Sequence, residues 1–240
     1  MKRREREAGF TLLEVMVAGA IMSGLMVVVM VMLGRASDVA ATDLIQTHAE
    51  DNIQNVVDEL VRDLKETSPS LVTFYQYTWQ IDPADPGRVE PQTAACFPSA
   101  RRMSDHGFVF QDGGGEVQSE PVWQCLRVYC YVDDPNEFGG SIIRYEDYSA
   151  RSYAGAVSVT SIDSTRIRLS DGTNINLAKG AQGFNQRRVV ISGRFSQLLL
   201  QGPEPIRLTV QTEYQQQSAK LRGSRTAVTL INEVLSRNRN

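Results

Sequence analysis

The sequence predicts an α+β protein: one long N-terminal helix, membrane-spanning in its first half and amphipathic in its second, packed on an antiparallel β-sheet head. Three observations predict it. A basic start, MKRREREAG, runs into an apolar stretch from Phe10 to Leu33 whose one charge is Glu14. No proline follows until Pro69, and apolar residues recur at helical spacing up to Leu64. After Ser68 the chain breaks into short runs rich in aromatic and β-branched residues, separated by Gly, Pro and Asp.

The apolar stretch comes first in the chain and constrains the rest. Crossing a bilayer takes roughly 20 predominantly apolar residues, so residues 10–33 suffice. A secretory signal peptide has a shorter apolar core, of roughly 7–15 residues, with a small-residue cleavage site after it. Lys2, Arg3, Arg4 and Arg6 outweigh Glu5 and Glu7, which keeps the N-terminus cytoplasmic and places everything after about Leu33 outside. A carboxylate in hydrocarbon costs roughly 2.5–3.5 kcal/mol on insertion scales. Glu14 therefore needs a partner, or a position close enough to the membrane boundary to snorkel into water.

The string GFTLLEVMVA, Gly9–Ala18, combines a charged leader, a glycine, an aromatic residue and one acid in an apolar run. It resembles the class III signal of type IV pilins, a family that includes the pseudopilins of type II secretion and of DNA uptake. The resemblance implies that a prepilin peptidase cuts between Gly9 and Phe10 and methylates the new terminus, leaving N-methylphenylalanine at Phe10. It also implies that Glu14 serves assembly, neutralising the Phe10 amine of a neighbouring subunit where low dielectric strengthens the pair. The implied fold is a lollipop with a helical stalk. The implied partners are the peptidase, other major and minor pilins through the N-terminal helix, an inner-membrane assembly platform and membrane lipid. Major pilins often carry a proline in the apolar segment, and residues 10–33 have none. VVDELVRDLKE, Val56–Glu66, is similar to the same stretch in minor pilins of the PilW kind and minor pseudopilins of the GspJ kind. The expected function is thus a minor pilin that initiates or caps a type IV pilus. The alternatives are a minor pseudopilin of type II secretion and an adhesive or DNA-binding tip module.

Four segments follow: a leader (1–9), a membrane or filament-core helix (10–33), an amphipathic helix (34–67) and a β-rich periplasmic head (68–240). In the third, Ile53, Val56, Val57, Leu60, Val61 and Leu64 form one stripe, with Asp58, Glu59, Arg62 and Asp63 expected mostly elsewhere. In the fourth, Leu71–Trp79 reads as a first strand, and IDPADPGRVEPQ, with three prolines, as loop. Phe108–Gln118 reads as a hairpin turning at Gly113–Gly115, and Val122–Asp134 as the strongest strand. Further strands run to a last strand or short helix at Thr226–Asn238. Tyr75, Tyr77, Trp79, Tyr145 and Tyr148 are the aromatics a binding head would expose.

Chemistry-bearing residues are few. A net charge of −3 gives no polyelectrolyte character, so nucleic acid is at most a secondary partner. Cys125 and Cys130 differ by an odd number and face opposite ways on a strand, so Cys96 is expected to bond one of them, Cys130 by preference. Such a bridge would contribute about 3–4 kcal/mol by the chain-entropy model. His48 and His106 lie far from the cysteines in sequence, which argues against zinc. No nucleophile, metalloprotease or phosphate-loop motif occurs, and neither enzymatic activity nor a cofactor is expected.

Overall fold

The computed structural model describes residues 11–81, 85, 87–111, 120–133, 139–149, 155–163, 165–178, 180, 185–202, 205–215 and 225–234. The leader, Gly9, Phe10 and the glycines at 113–115 lie outside these residues.

Helix α1 (Leu12–Glu66) is one unbroken helix of 55 residues, about 82 Å long at 1.5 Å per residue. Nothing in it interrupts the backbone ladder, since the first proline, Pro69, opens the short 3₁₀ turn beyond its cap. Every residue from 11 to 41 is exposed, and the first buried one is Ala49. The head therefore grips only the last five turns or so of the helix.

Twelve strands follow among the described residues. They are β1 (Thr73–Gln80), β2 (Val89–Ser99), β3 (Phe110–Gln111), β4 (Glu120–Pro121), β5 (Cys125–Asp133) and β6 (Gly140–Asp147). Next come β7 (Val159–Ile162), β8 (Arg166–Leu169), β9 (Asn174–Asn176), β10 (Gln186–Gln201), β11 (Ile206–Gln215) and β12 (Arg225–Val234). Seven of them form an antiparallel sheet in the order β1-β2-β5-β6-β10-β11-β12, and β7-β8-β9 form a second, three-stranded sheet. The last segment is thus strand over the residues described, to Val234.

Period-2 alternation sorts the side chains of the large sheet into two cores. Phe97, Tyr129, Tyr131, Ile142, Leu198, Leu208 and Val210 meet Ile53, Val56, Val57, Leu60 and Leu64 of α1. On the opposite face Cys96, Leu126, Val128, Cys130, Ile143 and Tyr145 meet Val159, Ile167, Leu169 and Ile175 of the small sheet. The result is three layers, helix on sheet on sheet.

The proline-rich stretch is not wholly loop, because β2 begins at Val89 and contains Pro91 and Pro98. Pro91 lies where β2 pairs only with β1, and Pro98 where it pairs only with β5. A missing N–H is tolerated where a strand has a neighbour on one side. Beyond the last β2–β5 pair, Ala95 with Tyr129, the side chain of buried Gln92 reaches β10 instead. Its Nε2 donates to the Ser196 carbonyl at 2.8 Å and its Oε1 accepts from the Leu198 N–H at 2.8 Å.

Candidate functional site at the two ends of the long helix

Of the residues that the signal-like motif singles out, Glu14 is the one among the described residues, in the first turn of α1. Thr11 is its N-cap and Glu14 its third residue, and the two form a reciprocal capping box. The Glu14 N–H donates to Thr11 Oγ1 at 3.3 Å. Glu14 Oε2 accepts from the Thr11 N–H at 2.8 Å and from its hydroxyl at 3.0 Å. Glu14 therefore has a role inside its own chain: its carboxylate satisfies the Thr11 N–H while Thr11 satisfies the Glu14 N–H at the helix start. The T-x-x-E spacing signals this in the sequence, and a reading centred on the intramembrane charge passes over it. Beyond Glu14 the span is bare, with an 18-residue window of mean hydropathy 2.5 and none of it buried. By length and composition α1 can cross a membrane.

The other end of α1 holds a buried ionic cluster. Asp63 and Glu59, four residues apart, share a helix face, and Asp63 is 2% exposed. Beneath them cross-strand pairing sets Arg127 of β5 opposite Glu146 of β6, and Tyr129 opposite Arg144. These residues continue the row that Tyr131 and Ile142 begin on the helix-facing side of the sheet. Arg127 Nη1 lies 2.8 Å from Asp63 Oδ2, and its Nη2 lies 3.3 Å from Glu146 Oε1. Arg144 pairs with Glu59, lies 3.5 Å from Asp63 and sets its Nε 2.9 Å from Glu146 Oε1. The Tyr129 hydroxyl donates to Asp63 Oδ2 at 2.6 Å, and its ring stacks on Phe97. Several of the guanidinium contacts lie off the N–H direction and hold by charge rather than by hydrogen bonding. At the rim, Arg62 reaches Asp63 and Arg187 reaches Glu146. Next to the cluster, Arg101 pairs with Glu66 in the last turn of α1, and the Thr67 hydroxyl donates to the Pro98 carbonyl at 3.0 Å.

Electrostatics follow from this packing. Burial, and then the Asp63 carboxylate, push the Tyr129 phenol well above its usual range. Burial opposes charge on Arg144, but the surrounding Tyr129, Glu146 and Asp63 more than offset it and hold the guanidinium protonated. The cluster keeps fixed charges in fixed places. It overturns the expected placement of Glu59 and Asp63 away from the docked face. Asp63 follows Leu60 by three and precedes Leu64 by one, so it belongs to the apolar stripe by position, and only its polarity hid it.

The remaining sequence-derived candidates divide as follows. Gly9 and Phe10 lie outside the described residues. The expected Cys96–Cys130 bridge is not formed: all three cysteines are buried thiols. Cys96 lies opposite Val128, so Cys130 stands two residues further along the neighbouring strand, on the same face but diagonal to it. Burial pushes the Cys125 thiol up to about 11 and the Cys130 thiol up to about 12. A raised acid pKa means that the folded chain keeps protons which the unfolded chain loses above about 9. The stability from these groups is complete below that pH and falls as pH rises towards 11–12. Melting temperature should therefore hold from pH 7 to about 9 and decline above it; a level profile to pH 11 would contradict buried thiols. The aromatics are not an exposed platform. Tyr145 is buried, Tyr75, Tyr77, Trp79 and Tyr148 are half-buried, and the Tyr77 hydroxyl bonds both the N–H and the carbonyl of Tyr131.

No family model, curated protein or solved structure matches the chain.

Proposed function

We propose that this chain is a minor subunit of a type IV pilin-like filament, matured by cleavage between Gly9 and Phe10 and N-methylated at Phe10. The observation that carries the reading is the geometry of α1. One continuous helix leaves every residue from 11 to 41 bare while the head docks only at the far end. The apolar part of that bare rod, up to Leu33, requires apolar surroundings, and a bilayer before assembly and packed neighbouring helices after it are the two that suit it. Glu14, already held by Thr11, presents a carboxylate at the very start of the rod, where the amine of a neighbour's Phe10 would meet it. The partners are a prepilin peptidase, other pilins along the helix, an inner-membrane platform and lipid, with the head on the periplasmic side. A type II secretion pseudopilin would use the same parts. A ligand-binding tip is supported less, since the candidate aromatics are packed into the sheet.

Intact-mass measurement of the native product tests this. The expected product begins at a methylated Phe10, and a Gly9→Ala variant keeps its leader and stays out of filaments. Normal maturation of Gly9→Ala would overturn the reading. Glu14→Ala is expected to be cleaved yet poorly assembled.

A further inference from the structure

We infer that the buried ionic cluster is a register lock, which fixes where α1 sits along its own axis on the sheet. The apolar stripe does this only weakly, because most of it repeats with the helix turn. If α1 slides so that each residue takes the place of the one four ahead, Ile53 falls on the Val57 position, Val56 on that of Leu60, and Leu60 on that of Leu64. These three places stay apolar, while Ala49 falls on the Ile53 position and polar Asn52 on the buried Val56 position, so only the start of the stripe opposes the slip. The polar contacts repeat at one place, where Glu59 takes that of Asp63, and fail at the others. The same slip brings Arg62 to the position of Glu66, against Arg101, where like charges repel. It also brings Asn55 to the place of Glu59, leaving Arg144 without that carboxylate. The opposite slip carries Asp63 to the Glu59 position and leaves Arg127 and Tyr129 facing the end of the helix. Both neighbouring registers thus strand or oppose a charge, and the native one satisfies Glu59, Asp63, Glu66, Arg101, Arg127 and Arg144 together.

Such an arrangement specifies position more than it adds stability, because buried ion pairs can be replaced by apolar residues without net loss while a half-broken pair is costly. The consequence is mechanical. α1 joins the head to whatever holds residues 11–41, so an axial pull on the rod acts along the direction in which the apolar stripe would slip and the cluster resists.

Electron-electron distance measurements on the full chain in detergent test the lock. Spin labels on non-canonical amino acids at exposed Asn55 and Thr229 report the axial position of the helix on the sheet. The native chain is expected to give one narrow distance. A variant with an apolar cluster, Asp63→Leu, Arg127→Met, Tyr129→Phe, Arg144→Met and Glu146→Leu, should keep its thermal transition but broaden that distribution. Arg101→Glu, which attracts Arg62 and repels Glu66, should on its own populate a second distance displaced by about one turn, roughly 5.4 Å. An unchanged single distance in Arg101→Glu would overturn the proposal. So would loss of the folding transition in the apolar variant, because the cluster would then be needed for stability itself.

Discussion

Asp63→Ala is expected to lower the stability of the head by about 3–5 kcal/mol, the cost of leaving a buried charge without its partner. The substitution removes one small carboxylate, yet that carboxylate faces Arg127, Arg144 and the Tyr129 hydroxyl together. Arg127 cannot reach solvent, and Glu146 alone remains within its reach. For a head of this size the loss corresponds to a fall in melting temperature of roughly 10 °C. The exposed neighbour Asp58 is the control: its carboxylate accepts from the Gln54 side chain at the surface, and Asp58→Ala should change stability by less than about 0.5 kcal/mol. Equal effects at the two positions, measured by urea unfolding in detergent, would contradict the cluster.

Gly140→Ala is expected to be the next most damaging single change. Gly140 opens β6, paired with Asp133 on one side and Phe195 on the other. A Cβ there would stand 2.2 Å from the Val132 carbonyl oxygen, 2.7 Å from the Tyr131 ring and 2.8 Å from Asp133 Cα. Two of these three are backbone atoms in a paired strand, so the strain cannot be relieved by turning a side chain. A cost at the upper end of the overpacking range, about 3 kcal/mol, is expected. Gly155, with nothing within 4 Å of an added Cβ, supplies the comparison, and Gly155→Ala should be close to neutral. Thermal melts of the two variants decide it; if Gly140→Ala melts with the parent chain, the close approach is not real.

Much of the architecture was legible because it rests on one-dimensional patterns. The long helix is written in an uninterrupted run without proline, and its docked end in the spacing of Ile53, Val56, Val57, Leu60 and Leu64. The strands are written in alternation, and the last of them was ambiguous because TAVTLINEV suits a strand and a short helix alike until β11 offers a ten-residue ladder. Prolines misled at the start of β2, since whether a strand tolerates one depends on which neighbours reach that position.

By itself the sequence determined a basic leader, an apolar rod with one acid near its start, an amphipathic continuation and a β-rich head, because hydropathy and helical or strand periodicity act between near neighbours in the chain. Only the tertiary structure decided that Asp63 and Glu59 point inward, that Arg127, Tyr129, Arg144 and Glu146 gather beneath them, and that Cys96 and Cys130 miss each other by two residues. The inward turn of Asp63 and Glu59 depends on how α1 is rotated onto the sheet, and the other outcomes depend on strand register. Register is set by pairing between distant segments, and a shift of one residue would turn the side chains of the shifted strand to the opposite face.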